Sequence, residues 1–329
     1  MRHLHIVILI LASTIAWAEP VKPGYYNNID GKSDKNLKDA LCAIIRPHTE
    51  IDYGSGKNHT WEVFYYADRD TVTGKCMDMY CDDWKVLSSP GQVASGCNIE
   101  HSMAKSWWGK TENAAYKDCY HLNPSNSTAN SARSNYPLGV PTRDIKYAGS
   151  LTIGKCCPGY SDFFYVFMPK DEYKGDFARA YFYMATCYGN ELTWRMNNTG
   201  VGSYYAMDND SYLEFQQWEI DVLLAWHRQD PVSPKELQRI DAVSNFQHNR
   251  NPFIDYPELV EYIWGNRKGQ AVVLSKLQFT GPKSQQEETG IREIEVAAPS
   301  RKVLKDGHLW IVVGDKWYTT DGRLATIKE

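Results

Sequence analysis

The chain predicts an α+β protein, on three observations. Apolar residues recur at helical spacing in several stretches between 34 and 264. Strand-like runs with hairpin turn signals cluster after residue 300. A Gly/Pro/Ser/Gln-rich stretch separates the two regions. Within 34–45, Leu37, Ala40, Leu41, Ile44 and Ile45 fall at i, i+3, i+4, i+7 and i+8, the stripe of an amphipathic helix. Residues 61–66, Trp-Glu-Val-Phe-Tyr-Tyr, read as a strand or as a short buried helix. Asp176 to Tyr188 places Phe177, Ala180, Tyr181, Met184 and Tyr188 on one helical face. Ser211 to His227 predicts another helix. Ser233, Pro234 and Glu236 open a third with an N-cap, a proline at N1 and a glutamate at N3. Pro257 to Trp264 is a short fourth. In the tail, Asp306-Gly307, Gly314-Asp315 and Asp321-Gly322 punctuate three strand-like runs between Val303 and Ile327, a small β-meander.

Composition bounds the class. The chain has 329 residues, 43% hydrophobic and 23% charged, as in ordinary globular proteins. Its mean hydropathy of −0.52, with no long apolar run after the first twenty residues, excludes a multispan membrane protein. Arg2 and His3 precede an apolar run from Ile6 to Ile15, and Ala16-Trp17-Ala18 supplies a small-x-small site. Residues 1–18 therefore predict a signal peptide cleaved after Ala18. Export to the periplasm, cell surface or medium follows, with no membrane span after cleavage. The eight cysteines, an even number in an exported chain, predict disulfides of unreadable connectivity. The expected organisation is a main domain over 19–270, a linker over 271–300 and a β-rich tail over 301–329.

The chemistry concentrates in three segments: Cys97 to Gly109, Asp118 to Pro124, and Asn130 to Gly139. Glu100 and His101 are adjacent. On an extended segment their side chains point to opposite faces, unless a bend or a strand end lets both border one site. A carboxylate is a hard oxygen ligand, and a neutral imidazole is a general base near pH 7. Asn130 offers a second oxygen through its amide. A helix starting at Pro124-Ser125 would put Asn130 and Arg133 one turn apart on one face. A cation on Glu100 and Asn130 leaves room for a phosphate, with His101 beside the attacking water and an arginine near the phosphate. There is no phosphate-binding glycine loop, nucleophile elbow or HExxH pair.

The ordered segments resemble the endonuclease I family of exported bacterial nucleases, in the ββα-metal or His-Me finger superfamily. Glu100-His101 to Ser106-Trp107 carries the first part of that pattern, and Asn130, Arg133 and Asn135 carry the last. In the middle part Cys119 and Tyr120 depart from it, and Ala104 replaces a common proline. Lys174 to Arg179, Asp230 to Ser233 and Asn249 to Asp255 match further segments, so the resemblance covers about 60 to 265. It implies a ββα-metal core within surrounding helices. His101 would be the general base, and Glu100 and Asn130 would hold one divalent cation, Mg²⁺ first, with Ca²⁺ or Mn²⁺ as alternatives. His121 would fasten the finger loop. Arg133 and Arg179 would contact phosphate, with a helix salt bridge equally open for Arg179. The implied activity is hydrolysis of DNA, with RNA as a second substrate, and little sequence preference, since backbone contacts carry no sequence information. The tail, by the spacing of its turns and its Lys305 to Ile311 segment, resembles the sorting tails of the type IX export system; a plain hairpin accounts for it equally.

A net charge of −4 does not advertise a polyanion binder, but a local basic cleft can exist on an acidic protein, and a weakly binding, metal-assisted nuclease needs no basic pI. Two rival readings remain. One is a phosphodiesterase acting on small phosphoesters. The other is an exported glycan-binding protein with a structural ion, its many aromatics stacking on sugar.

Overall fold

The computed structural model describes residues 21–281 throughout and, beyond them, only the strands between 300 and 325. The expected signal peptide and most of the expected linker lie outside the described residues. The chain divides into two compact units, one ending at Pro282 and one beginning at Lys283.

The first unit is α+β. Helices α1 (Asp34–Ile45) and α2 (Thr60–Ala67) precede β1 (Cys97–His101), α3 (Ala114–Lys117), β2 (Leu122–Asn126) and α4 (Ser127–Arg133). Strands β3 (Arg143–Ala148), β4 (Leu151–Cys156) and β5 (Phe164–Met168) form an antiparallel sheet in that order. Six helices follow: α5 (Lys174–Tyr188), α6 (Ser203–Ala206), α7 (Gln217–Gln229), α8 (Pro234–Gln247), α9 (Pro252–Asp255) and α10 (Leu259–Ile263).

Helix α5 is the axis of the core. It packs against α1 and α7, and every one of its residues is buried, Lys174, Asp176 and Arg179 included. A helix surrounded on all sides has no solvent face, so the single apolar stripe read from the sequence understates its burial. The ambiguous segment at 61–66 is helical; as α2 it packs on α8. The helix expected from Ser211 starts at Gln217 instead. Glu214 has φ 65°, in the left-handed region, and Met207 bridges Phe215, so a turn occupies the intended first turns of helix. Helix α8 starts as the sequence predicts: Ser233 Oγ accepts from the Glu236 N–H and Glu236 Oε2 accepts from the Ser233 N–H. Residues 271–281, expected to open a linker, are packed on the domain. Val272 is buried and exchanges backbone hydrogen bonds with Gly31 and Lys32, and the Thr280 N–H donates to Asp255 O.

All eight cysteines are free thiols, so the expected disulfides are not found. Cys76, Cys119, Cys156 and Cys187 are buried, where a thiol serves as a small apolar group. No helix among the described residues is long and apolar enough to cross a membrane. The second unit contains a four-stranded antiparallel meander, β6 (Ser300–Lys305), β7 (His308–Val313), β8 (Lys316–Tyr318) and β9 (Leu324–Ala325), one strand more than the sequence suggests. Pairs Lys305↔His308 and Val313↔Lys316 close its first two hairpins, so the first two turn signals fall between consecutive strands.

Candidate active site

Strands β1 and β2 form a two-stranded antiparallel ribbon, with Glu100 opposite Asn123 and His101 opposite Leu122. Helix α4 packs against both strands. It begins at Asn126, not at Pro124-Ser125, because those two residues are strand; the Asn126 side chain accepts from the Thr128 and Ala129 N–H groups. Asn130 and Arg133 still lie one turn apart on it. His101 is the last residue of β1, and at a strand end the alternation of faces no longer separates it from Glu100. Glu100, His101, Asn130 and Arg133 therefore line one open cleft of about 760 Å³.

His101 is buried, yet it borders that cleft. Its Nε2 lies 3.0 Å from the Tyr116 carbonyl. A carbonyl only accepts, so Nε2 carries the proton and the neutral ring has its lone pair on Nδ1. The ring stacks on Tyr53 at 5.5 Å and leans on Tyr116 at 4.5 Å, which fixes its plane. Burial, helped by the neighbouring His121 and Lys105, holds its pKa well below the usual imidazole value.

Behind β1 stands a buried polar wall. Glu100 Oε1 accepts from Tyr80 Oη and from Arg133 Nη1, both at 2.9 Å. Arg133 also donates to the His101 carbonyl at 2.9 Å, to the Ser102 carbonyl, and to Tyr181 Oη at 3.3 Å. Its guanidinium sits 4.6 Å over the Phe167 ring. Burial pushes the Glu100 carboxyl up to about 7, and the Arg133 charge works against that rise.

The donor set suits a hard divalent cation. Tyr80 and Arg133 both land on Glu100 Oε1, which leaves Oε2 as the candidate ligand. Asn130 Nδ2 donates to Asn98 Oδ1 at 2.8 Å, which leaves Asn130 Oδ1. Two oxygens with open space beside them are what Mg²⁺ accepts while keeping its waters. Among the described residues, a second group, His48, Asp118 and Cys187, has ligand atoms within 4.8 Å of one another. There Asp118 Oδ2 already accepts from Tyr183 and Tyr188 at 2.8 and 2.7 Å, and burial drives the Cys187 thiol well up, so the group is a hydrogen-bonded clasp.

Two residues expected at the phosphate are placed otherwise. Arg179 is fully buried and bidentate to Glu236 at 2.6 and 2.5 Å, with Asp230 O at 2.9 Å; it ties α5 to α8. Arg133 borders the cleft, but its guanidinium is committed to Glu100 and to backbone carbonyls, and its side chain is 1% exposed. Arg179 thus makes the helix salt bridge that was equally open for it, and both placements have one cause: a buried guanidinium takes partners from the protein. His121 is fully buried; its Nε2 contacts the Ala115 carbonyl at 2.7 Å, and burial pulls its pKa down to about 4. Both motif histidines are thus pinned to α3.

The free cations of the cleft are Lys105 and Lys110, which the sequence reading passed over. Neither forms an ion pair with a carboxylate among the described residues, and Lys105 Nζ lies 5.3 Å over the Tyr116 ring. Tyr53, Asn98, Asn135 and Asn198 are further polar residues of the lining. Lys105 and Asn98 fall inside the Cys97–Gly109 segment, but nothing in the spacing there marks them. Tyr53 and Asn198 come from distant loops, so only the fold brings them in.

The family model for endonuclease I matches residues 33–258, a span that takes in the cleft and the helices behind it. The extracellular ribonuclease of Bacillus amyloliquefaciens is 35% identical over 248 residues, 73% of this chain and 78% of that protein. The extracellular ribonuclease of Bacillus subtilis (strain 168) is 31% identical over 264 residues, 77% of this chain and 84% of that protein. The family is generally dependent on a divalent metal. The chain belongs to the endonuclease I family and is a nuclease.

Proposed function

We propose that this nuclease is exported and hydrolyses the phosphodiester backbone of RNA, and of DNA by the same chemistry, with little sequence preference. RNA comes first because both similar proteins are named ribonucleases and extracellular. The observation that carries the mechanism is the hydrogen bond of His101 Nε2 to the Tyr116 carbonyl, which leaves Nδ1 as the acceptor of a ring that lines the same cleft as Glu100.

In the reaction His101 Nδ1 takes a proton from the attacking water. Lys105 and Lys110 bind the non-bridging oxygens and neighbouring phosphates. Arg133 and Tyr80 hold the Glu100 carboxylate in place. Glu100 and Asn130 would hold one divalent cation, which supplies charge stabilisation to the phosphate and to the departing 3′-oxygen. Water is the nucleophile, so the ribose 2′-hydroxyl takes no part.

The experiment incubates purified protein with structured RNA, poly-U and plasmid DNA, with and without EDTA, and identifies the new ends. The expected products carry 5′-phosphate and 3′-hydroxyl on both polymers, and EDTA abolishes them. A 2′,3′-cyclic phosphate, or cleavage that survives EDTA, would overturn the mechanism. Activity on small phosphoesters without polymer cleavage would favour the phosphodiesterase reading.

A further inference from the structure

We propose that the exposed edge of the β3–β5 sheet is a platform for single-stranded nucleic acid that continues from the cleft. The choice of ligand rests on the nuclease reading above.

Strand β3 is an edge strand, paired only with β4, and five of its six residues are exposed. Tyr147 is 77% exposed and Ile145 50%. Large aromatic surface this open on a single strand is surface awaiting a partner. By the strand register, Tyr147 lies on one face of this edge and Lys146, Lys155 and Tyr165 on the other, where rings and cations stand together. Tyr136 and Tyr165 stack at 5.0 Å with 23° between their planes. Lys146 and Lys155 place their ammonium groups 5.4 and 5.2 Å over the Tyr165 ring. Arg143 lies 4.1 Å over Phe163.

The charge balance selects a polyanion. The three strands carry Arg143, Lys146 and Lys155 against one carboxylate, Asp144, on a chain whose net charge is −4. Asp144 is paired with Lys155 at 2.9 Å. Arg143 and Lys146 have no ion pair among the described residues. Aromatic faces interleaved with basic side chains bind unpaired bases by stacking and their phosphates by charge, whereas a duplex hides its bases.

Geometry argues against the other occupant of an open edge, a β-strand from a second copy. The register between β3 and β4 shifts between Arg143 and Lys146, and Asp144 sits at φ 49°. A bulge with flanking cations spoils an edge for strand addition. The platform is also continuous with the cleft. Asn135 lines the cleft, Tyr136 is the next residue, and α4, which carries Asn130, packs against β3 and β4. A strand leaving the cleft past Asn135 would meet the Tyr136–Tyr165 pair and Lys146 on one face and reach Tyr147 by passing over the β3 edge.

The test uses the full chain carrying His101→Ala, in EDTA, with fluorescein-labelled 20-nucleotide poly-U and poly-dT, read by anisotropy across a salt series. Arg143→Ala with Lys146→Ala should weaken binding at least tenfold. The log–log salt slope should become shallower by about 1.4, near 0.7 for each phosphate no longer neutralised. Tyr147→Ser should weaken binding several-fold and Tyr147→Phe should restore it, a pattern that a folding defect would not give. Lys268→Glu, an exposed charge change outside the platform, should stay within twofold. Unchanged affinity and salt slope in the double variant would overturn the platform. So would unchanged affinity with a shift in oligomeric state by light scattering, which would assign the edge to self-association. Weakened binding in the platform variants, beside a wild-type chain that cuts neither RNA nor DNA, would support the platform and sink the nuclease reading alone.

Discussion

The two sides of the β1–β2 ribbon are built on opposite principles. Behind β1, Tyr80, Arg133, Tyr181 and Glu100 are buried and hydrogen-bonded to one another or to backbone carbonyls. In front, Lys105, Lys110, Asn98 and Asn130 border open space, and the lysines have no carboxylate partner among the described residues. The difference separates positioning from binding. A charge that must stay in one place is desolvated and given protein partners. A charge that must meet a phosphate is left for the phosphate to neutralise. On the proposed reading a buried arginine is therefore a fastener and a cleft lysine a phosphate contact.

The largest effect belongs to the one ring shared by both sides. His101→Ala should lower turnover about 10²–10⁴-fold while leaving nucleic-acid affinity in EDTA nearly intact. The measurement is a single-turnover rate beside an anisotropy titration. A rate within tenfold of wild type would remove His101 from the chemistry, and the fully buried His121 could not replace it.

Next comes the wall. Arg133→Ala leaves the buried Glu100 carboxylate without its counter-charge, with Tyr80 Oη still donating to it and Tyr181 Oη to the Ser102 carbonyl, which should cost about 3–5 kcal/mol of stability. Lys105→Ala, in front, should cost about 1 kcal/mol or less, since a half-buried side chain gives up its place over the Tyr116 ring. Urea denaturation of both variants measures the contrast. Equal destabilisation would mean that the two sides are not built differently.

The sequence exposed the front of this comparison better than the back. That Glu100, His101 and Asn130 would border one cleft was legible because an ordered motif fixes residue type and spacing at once. Helices α1 and α8 were legible from apolar period and a capping box. The partners of Arg133 and Arg179 were not legible, and for Arg179 phosphate and helix salt bridge stayed equally open, because burial is a property of the fold: the same side chain is a phosphate contact or a strut according to what surrounds it. The late start of α7 was hidden because nothing in Ser211 to Gln216 announces the left-handed Glu214. The disulfides were inferred from an even count, which says nothing of whether any two thiols meet.

Desolvation also sharpens the contrast through pH. His227 on α7 is buried behind the site, and burial, with the Arg179 charge adding, pulls its pKa down to about 4. The unfolded chain accepts that proton near pH 6.5. The stability this neutral ring contributes is therefore complete above 6.5 and is lost as pH falls from 6.5 toward 4. The slope is about 1.4 kcal/mol per pH unit, about 3 kcal/mol in all. Other buried groups titrate in the same range, so the informative quantity is the difference between wild type and His227→Gln. That gap should be level from pH 7.5 to about 6.5 and shrink steadily from there to 4.5 in urea melts, and a constant gap throughout would show that the ring takes up its proton alike in the folded and unfolded chain.

In front, Asn130→Ala removes one of two ligand oxygens. The Mg²⁺ midpoint for cleavage should rise about tenfold, equivalent to about 1.4 kcal/mol. Binding of nucleic acid in EDTA should not change, because the amide is assigned to the cation. An unchanged midpoint would leave Asn130 as no more than the partner of Asn98.

The smallest effect tests the front most directly. Lys105→Ala and Lys110→Ala each remove one cation from a phosphate and, on the argument above, little that is structural. Each should raise KM a few-fold and flatten the salt dependence of binding by about 0.7 in the log–log slope on single strands. The two decrements should add if the lysines meet different phosphates and should not add if they share one. Lys105 has a second neighbour, the Tyr116 ring, whose carbonyl orients His101. If Lys105→Ala lowers kcat while Lys110→Ala affects KM alone, Lys105 belongs with the residues that hold His101, and the line between positioning and binding runs between these two lysines.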